Sequence, residues 1–285
     1  MPTIAYLGPK NTNTHLAAKR QFGFQAEYLP AASVEKVFEL VERKKVDFGV
    51  VAIENSLEGG ITHTLDRFID FEESPVKIYG EIDESIHHYL IYRPSTPLER
   101  IRLVYSHYSA LAQCKAWLST QLPYASVRES SSTAKAIDDL FDKKTSAFPL
   151  SERAAIGRIE LAEERRLKAI PIPIEQENRT RFLILSLKKN EKRGKRNKTS
   201  LMVFLSDRPG ALYDALRPFK TNGINLMKIE SRPSKRKAWE YVFFIDFEGH
   251  ESEPRVKKTL QALQRSAAVL RVLGSYSVRD VHGRG

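Results

Sequence analysis

A cluster of reactive side chains lies where a strand-like segment begins. The stretch EQENRTRFLIL, residues 175–185, changes from polar to apolar and brings the Thr180 hydroxyl next to Arg179, Arg181 and Phe182. A loop that only faces solvent needs none of these groups, whereas a pocket for a small anion needs hydrogen-bond donors and positive charge. The stretch therefore indicates part of an anion-binding site.

Three further segments place polar side chains where a strand-like run gives way to a helix-like run. GPKNTNTHLAA follows the first strand, ENSLEGGI follows the buried run DFGVVAI, and SSTA opens a later helix. Ligands of open α/β sheets gather beyond the carboxyl ends of strands, and helix N-termini favour carboxylates. We therefore expect these segments to surround one pocket with the following polar residues: Thr12, His15, Asn55, Ser56, Ser131, Ser132 and Thr133.

Each of these segments also has a structural interpretation. Thr14 and Ser131 are favoured helix N-caps in any protein, and ENSLEGG is compatible with a plain strand-to-helix turn. Arg181 has the alternative of a surface ion pair with Glu175 or Glu177. The combination of segments is more informative than any one of them.

Metal and nucleophile chemistry have little support. His87 and His88 are adjacent in a strand, so their side chains point to opposite faces and cannot share an ion. The sequence has no GxSxG elbow, no Walker loop and no helical His-x-x-x-His pair. The single cysteine, Cys114, lies in a helical pattern and is expected to be buried, and His107 is expected to be an ordinary hydrogen-bonded histidine. We expect no metal and no cofactor.

The charge of the chain raises the question of nucleic acid. The formal net charge is +11, and the segment KKNEKRGKRNK, residues 188–198, holds 5 Lys, 2 Arg and 1 Glu, which is 5 + 2 − 1 = +6. No aromatic residues interleave this run for base stacking, so we expect a solvated linker and no nucleic-acid binding. No run is apolar enough to cross a bilayer and no secretory signal is evident, so we expect a cytoplasmic protein without a membrane partner.

The hydrophobic pattern changes at the basic linker. Residues 1–187 alternate strand-like and helix-like segments, which predicts an α/β domain of parallel-sheet units long enough for two lobes. Within it TSAFPL reads as a strand and SERAAIG as a short helix, and Ser33 is expected to cap the helix VEKVFELVERKK. Residues 199–275 read as β-α-β-β-α-β, the ferredoxin-like arrangement, and residues 276–285 as a tail.

Several short strings together resemble one family over nearly the whole chain. AYLGP, VVAIENSLEGG followed by TLD, YSH with ALAQC, SSTA and TRF occur in order, and GAL and ESRP follow in the second region. In order and spacing they resemble a prephenate dehydratase with a C-terminal ACT regulatory domain. The resemblance implies a two-lobed catalytic domain like the type II periplasmic binding proteins, with the active site in the cleft, plus an α+β ferredoxin-like ACT domain.

The resemblance also implies the activity and its residues. Prephenate would lose water and carbon dioxide to give phenylpyruvate in L-phenylalanine biosynthesis, with TRF supplying the catalytic residues Thr180, Arg181 and Phe182. From this chemistry we expect Thr180 to donate a hydrogen bond to the leaving oxygen and Arg181 to clamp a carboxylate. L-phenylalanine would inhibit by binding the ACT domain at the interface of a homodimer or homotetramer, through the residues Gly210, Ala211, Leu212, Asn225, Glu230, Ser231, Arg232 and Pro233.

Departures from the family pattern leave the substrate open. Lys10, Asn11 and Asn13 stand where the family has Glu, Gly and Phe, and Tyr108 and Ser109 replace Pro and Gln. Asn is the residue after Gly that best tolerates positive φ. The nearest alternative substrate is arogenate, which would make the protein an arogenate dehydratase. A separate alternative is a non-catalytic amino-acid-sensing binding protein.

Overall fold

The computed structural model describes residues 1–70, 74–142, 148–174, 176–234 and 240–278. Its first lobe begins with a strand that ends at the predicted GPKNTNTH loop. The elements of this part are, in chain order, β1 (Thr3–Leu7), α1 (Asn13–Phe22), β2 (Glu27–Ala31), α2 (Val34–Glu42), β3 (Phe48–Asn55), β4 (Gly59–Gly60), α3 (Thr62–Asp70) and β5 (Lys77–Ser85).

The second lobe is inserted between β5 and a later strand of the first sheet. Short 3-10 turns at Leu98–Arg100 and Leu150–Glu152 interrupt it. Its elements are β6 (His88–Tyr92), β7 (Leu103–Ser106), α4 (Tyr108–Gln113), α5 (Lys115–Gln121), β8 (Ser126–Glu129), α6 (Thr133–Asp139), β9 (Arg153–Gly157), α7 (Ile159–Glu164) and β10 (Lys168–Ile172).

The strand β11 (Arg179–Ser186), which contains the TRF residues, returns the chain to the first lobe. The first sheet has the order β2-β1-β3-β11-β5, with β4 paired to β3, and the second has the order β10-β6-β9-β7-β8. Strands β1, β2 and β3 are parallel, as are β7, β8 and β9, but β11 runs antiparallel to β3 and β5. In the second sheet, β6 runs antiparallel to both β9 and β10. Both sheets are therefore mixed rather than parallel. This is the expected two-lobed architecture with a cleft between the lobes.

The assignment of residues 145–157 was wrong in part. SERAAIG was expected to be helical, but Arg153–Gly157 forms β9, and Leu150–Glu152 at the end of TSAFPL forms a 3-10 turn; residues 143–147 lie outside the described residues. The alanines suggested a helix, yet β9 is fully buried and α6 packs on it. Small residues serve this strand because its neighbours on both faces lie close.

Helix α2 forms as its sequence predicts. Ser33 is the N-cap, and its hydroxyl accepts a hydrogen bond from the Lys36 amide. Val37, Phe38 and Val41 are buried in a core that also contains side chains of the second domain. The predicted cap and amphipathic face are both confirmed.

The C-terminal domain has the predicted β-α-β-β-α-β order and an antiparallel sheet of four strands in the order β13-β14-β12-β15. Strand residues extend two positions beyond each end of the expected 199–275 range. Its elements are β12 (Asn197–Leu205), α8 (Ala211–Thr221), β13 (Leu226–Pro233), β14 (Tyr241–Glu248), α9 (Pro254–Ser266) and β15 (Ala267–Ser277).

This second domain packs directly on the first lobe. A Cβ atom added at Gly274 would lie 2.0 Å from the carbonyl oxygen of Ile78, so β15 and β5 approach too closely for any larger residue. Lys77 also donates to the carbonyl of Val272 at 3.1 Å. The C-terminal domain and the first lobe are therefore in direct contact through β15 and β5. Among the described helices, none is long and apolar enough to cross a membrane.

Candidate active site

A cleft of about 280 Å³ lies between the two lobes. Seven of the residues singled out from the sequence line it, and three do not: His15, Ser56 and Arg181. The side chains that line it with a polar group are Thr12, Asn13, Thr14, Asn55, Glu58, His88, His107, Ser109, Gln113, Ser131, Ser132, Thr133, Asn178 and Thr180.

Thr180 faces this cleft from the start of β11, directly opposite Asn55 of β3. The Asn55 Nδ2 group donates to Thr180 Oγ1 at 2.9 Å and to Asn178 Oδ1 at 2.8 Å. The orientation of the Asn55 amide is fixed because its Oδ1 accepts from the backbone amides of Leu57 and Glu58. Thr180 Oγ1 is thus an acceptor from the protein, which leaves its own proton to be donated elsewhere.

A chain of side-chain amides continues from Asn178 across the cleft. Asn178 Nδ2 donates to Gln113 Oε1 at 2.8 Å, and Gln113 Nε2 donates to Glu58 Oε1 at 2.7 Å. His88 Nε2 lies 2.8 Å from Gln113 Oε1. Burial lowers the pKa of His88, so the imidazole is neutral near pH 7 and serves as a donor here. Gln113 belongs to the second lobe, and its bond to Glu58 links the lobes.

Sequence reasoning did not select Gln113, Asn178 or His88 as site residues. Gln113 stands in ALAQC, one of the strings that carry the family resemblance, and Asn178 lies two residues before the TRF string. The side-chain amides of Gln113 and Asn178 could be read from the sequence. The sequence did not show that these two residues, which are 65 residues apart, would meet in the cleft.

Two helices open onto the cleft at their N-termini, but with different caps than expected. The N-cap of α1 is Thr12 rather than Thr14, and the N-cap of α6 is Ser132 rather than Ser131. Ser132 accepts from the amide of Lys135 at 3.0 Å. Helix α1 therefore begins earlier than a Thr14 cap would give, and α6 begins later than a Ser131 cap would give. Several adjacent Ser and Thr residues are suited to the same N-cap position, so the pattern did not identify which one caps.

His15 supports the first loop instead of lining the cleft. It is buried, stacks on Tyr6 with ring centroids 4.4 Å apart, and its Nδ1 accepts from the amide of Asn11 at 2.9 Å. Burial, with a smaller contribution from nearby lysines, lowers its pKa from 6.5 to about 4. Asn11 adopts a φ of 66°, the left-handed conformation for which Asn is the best substitute for Gly.

Ser56 also has a role in the framework. Its hydroxyl donates to the carbonyl of Glu177 at 2.8 Å and accepts from the amide of Arg179 at 2.9 Å. These bonds tie the end of β3 to the start of β11 and so hold Asn55 and Thr180 opposite each other. Ser56 is not among the cleft-lining residues.

Arg181 points away from the cleft, because successive side chains of a strand face opposite sides. Its guanidinium pairs with Glu54 and lies 3.2 Å from Asp246 Oδ2 and 3.6 Å from Glu81 Oε2. The structure therefore does not bring it to the position of a carboxylate clamp. The alternative of a surface ion pair was wrong in its location and in the partner tested, because Arg181 is mostly buried and Glu177 pairs with Arg179 instead. Residue 175 lies outside the described residues.

Phe182 follows on the cleft side of β11. Its ring is buried in the core of the first lobe and also lines the cleft, so it can anchor the strand and still contact a bound ligand. Cys114 is buried as expected, and burial raises its pKa to about 12. A thiol with such a pKa is not a nucleophile at neutral pH.

Asn13 contributes an unusual group to the cleft. Its Oδ1 atom is buried and has no hydrogen-bond partner among the described residues. This position is one of the departures from the family pattern, in which Phe is usual. An unpaired amide oxygen in a cleft is a candidate acceptor for a donor on the ligand.

The cleft is short of formal positive charge. None of the described residues that line it is Lys or Arg, and the one carboxylate is that of Glu58. The described residues also contain no group of three or more side chains suited to a metal ion. Ligand anions in this cleft would meet hydroxyls, amides and the N-terminus of α1.

The residues expected to bind L-phenylalanine lie at the start of α8 and on or next to β13. Gly210 has a φ of 78° and is the N-cap of α8, with Ala211 and Leu212 packed on the core of this domain. Along β13 the side chains alternate, so Glu230 and Arg232 turn towards the first lobe. The outward or exposed group consists of Asn225, Ser231 and Pro233.

Comparison with known proteins assigns both regions. Residues 4–190 match the family model described as "Prephenate dehydratase", and residues 199–265 match the model described as "ACT domain". A "Bifunctional chorismate mutase/prephenate dehydratase" of Aquifex aeolicus is 46% identical over 273 residues, which cover 96% of this chain and 73% of that protein.

Two further relatives match over nearly their whole lengths. A "Prephenate dehydratase" of Methanocaldococcus jannaschii is 35% identical, with 97% of this chain and 98% of that protein covered. The crystal structure of a prephenate dehydratase from Arthrobacter aurescens in complex with L-Phe has a TM-score of 0.87 and 33% identity, covering 97% of this chain and 90% of that one.

Proposed function

This chain belongs to the prephenate dehydratase family, with an ACT domain after the catalytic region, and we propose that Thr180 acts on the leaving hydroxyl of prephenate. The activity is the decarboxylating dehydration of prephenate to phenylpyruvate. The observation that carries the role of Thr180 is the fixed Asn55 amide, which donates to Thr180 Oγ1 and leaves the threonine proton for the substrate.

The reaction needs a donor more than it needs a strong acid. The ring carboxylate leaves as carbon dioxide, its bonding electrons make the ring aromatic, and the hydroxyl departs with its own bonding pair. A proton taken up in this step turns the departing group into water. Thr180 donates a hydrogen bond to that oxygen as negative charge develops, a contribution of about 3–4 kcal/mol by comparison with one oxyanion-hole donor.

The lack of Lys and Arg among the described residues that line the cleft suits the decarboxylation. The ring carboxylate loses its charge as carbon dioxide forms, so a tightly paired cation would stabilise the substrate more than the transition state. Hydroxyls and amides hold the two carboxylates with less ground-state stabilisation. The proposed substrate-binding groups are those of Thr12, Asn55, Ser131, Ser132 and Thr133, together with Gln113 and Asn178, which the cleft geometry adds.

L-phenylalanine regulates the activity through the ACT domain. We assign its site to the Gly210–Leu212 turn and the neighbouring β13. The related enzyme from Arthrobacter aurescens was crystallised with L-Phe. Strand β13 is an edge of its sheet and exposes Met227 and Ile229, which supports pairing with a second copy and a homodimer or homotetramer. The biosynthetic role supports a cytoplasmic location.

A direct assay tests the catalytic assignment. The purified protein is incubated with prephenate and, separately, with arogenate, and phenylpyruvate formed from prephenate is measured by its absorbance in alkali. Thr180→Ala should lower kcat by about 10²–10³-fold with little change in thermal stability. Thr180→Ser is the matched control, since it keeps the hydroxyl. A Thr180→Ala protein with near-normal kcat would exclude the proposed role.

A further inference from the structure

Seven charged side chains form a mostly buried cluster between the catalytic and ACT domains. Three are cations and four are anions, so the formal charge of the cluster is 3 − 4 = −1. Individual side-chain exposures run from 3% for Lys198 to 34% for Glu54. The other five members are Glu81, Arg181, Lys228, Glu230 and Asp246.

On the catalytic side, this charged cluster is the reverse face of the active site. In the register of β3 and β11, Thr180 is opposite Asn55 and Arg181 is opposite Glu54. The first pair lines the cleft, and the second pair forms the ion pair behind it. The two pairs occupy consecutive positions on the same two backbones, so a displacement of Glu54 moves Asn55.

On the regulatory side, Lys228 of β13 reaches across the interface. Its Nζ lies 2.9 Å from Glu230 Oε2 and 3.4 Å from Glu54 Oε1. Among the described residues it has no partner with hydrogen-bond geometry, although the atom is buried. An ammonium held by charge attraction without aligned bonds can change partners easily, since it is a compact point charge on a flexible stem.

Glu230 makes a second contact with the same hairpin. A Cβ atom added at Gly60 would lie 2.9 Å from Glu230 Oε2, so this carboxylate sits against the β3–β4 hairpin. Gly60 is paired with Glu54 and Gly59 with Asn55. Two adjacent side chains on one face of β13 therefore touch the hairpin that carries the catalytic asparagine.

We propose that Lys228 is a positioning residue for catalysis: its contact with Glu54 holds the hairpin so that Asn55 orients Thr180, and L-phenylalanine inhibits by altering this contact. The proposal rests on the catalytic and effector roles assigned above. Phenylalanine can inhibit only if it binds one arrangement of the molecule better than the other. Strand β13 is common to the proposed effector site and the cluster, so a shift of this strand changes both.

Two substitutions disturb the contact in different ways. Lys228→Met removes the charge and leaves Glu54 and Glu230 facing each other. Gly60→Ala keeps every charge but displaces the end of the Glu230 side chain, which is flexible, so the fold should tolerate it. Lys228→Arg keeps the cation and serves as the conservative variant.

Lys189→Met is the matched control. Lys189 also pairs with a glutamate of the ACT domain, Glu251, at 3.0 Å, but it is exposed and lies outside the charged cluster. This control should keep the wild-type kcat and the wild-type inhibition curve.

The measurements are kcat and KM for prephenate, inhibition by L-phenylalanine, calorimetric phenylalanine binding and thermal stability. We expect Lys228→Met to lower kcat about tenfold with KM within about twofold, because the bond to the leaving hydroxyl forms only in the transition state. Both Lys228→Met and Gly60→Ala should still bind phenylalanine but lose most of its inhibition, and Lys228→Arg should recover both properties.

Two outcomes would contradict the positioning role of Lys228. Wild-type kcat together with a wild-type inhibition curve in Lys228→Met and Gly60→Ala would overturn the proposal, as would a loss of thermal stability with no change in either. Failure of the underlying assignments looks different, because the wild-type protein would then show no prephenate turnover or no calorimetric phenylalanine signal. If only the phenylalanine signal is absent, the kcat of Lys228→Met still decides the positioning role.

Discussion

The two faces of the β3–β11 strand pair have opposite chemistry. The cleft face presents Thr180 and Asn55, joined by a neutral hydrogen bond of 2.9 Å. The reverse face presents Arg181 and Glu54 in a charged cluster that extends into the ACT domain. Although the substrate carries two negative charges, Arg181 of β11 therefore lies at the domain interface and not in the cleft.

Charge and hydrogen bonding therefore have separate roles on the two faces of this strand pair. On the interface face, burial by itself would lower the pKa of Arg181, but three neighbouring carboxylates raise it overall, so the guanidinium is a permanent structural cation. On the cleft face, we propose that neutral donors bind the substrate without a tight ion pair to the carboxylate that leaves. The contrast can be tested from both sides.

The largest expected effect is on stability, from Arg181→Met. Removal of this cation leaves three carboxylates with less compensation, and breaking a buried ion pair costs about 3–5 kcal/mol. The free energy of unfolding, from urea titration, measures the loss. KM for prephenate in the folded fraction should stay within about twofold, and a large rise in KM would instead favour the carboxylate clamp. Arg179→Met, on the same face of the same strand, is the control and should cost less than about 1 kcal/mol.

On the cleft face, Asn55→Asp should nearly abolish turnover while keeping the shape of the side chain. A carboxylate accepts from Thr180 rather than donating to it, which draws the threonine proton away from the substrate. We expect kcat to fall about a hundredfold. The same change at the C-cap of α8, Asn222→Asp, lies outside the cleft and should leave kcat unchanged. Activity close to wild type in Asn55→Asp would show that the direction of this hydrogen bond is unimportant.

The support of the cleft loop by His15 predicts a dependence of stability on pH. Its pKa is about 4 in the folded protein, whereas a histidine ordinarily has a pKa of 6.5, so the unfolded chain binds more protons between these values. The contribution is complete above about pH 6.5 and decreases as the pH falls towards 4, with about 2 kcal/mol lost by pH 5. Urea unfolding at both ends of this window should show a smaller difference for His15→Gln, whose amide oxygen can accept from Asn11. An equal difference in both proteins would contradict the neutral buried state of His15.

The smallest effect concerns Asn13 and substrate choice. Its unpaired amide oxygen is suited to accept from the ammonium of arogenate, which prephenate lacks. Asn13→Leu keeps the volume and removes the acceptor, so the ratio of kcat/KM for arogenate to that for prephenate should fall about fivefold, a difference of about 1 kcal/mol. An unchanged ratio would remove Asn13 from the determinants of specificity.

Much of the fold followed from local patterns. Helix α2, its Ser33 cap and the β-α-β-β-α-β order of the second domain were predicted correctly, because spacing and caps report local structure. Strand β9 was missed, since its alanines favour a helix on local grounds and only burial on both faces makes them a strand. The hydrophobic pattern therefore predicted the fold class, and tertiary packing explains why β9 departs from its local pattern.

The candidate site divides in the same way. Residue types and local pattern were enough to identify Thr180, Asn55 and the 131–133 hydroxyls as groups suited to an anion at strand or helix ends. The direction of Arg181 towards the ACT domain and the support of a loop by His15 depend on how strands and domains pack. The packing of the two lobes also brings Gln113 beside Asn178. Such contacts depend on strand register and on which elements pack together, and neither can be read from local sequence.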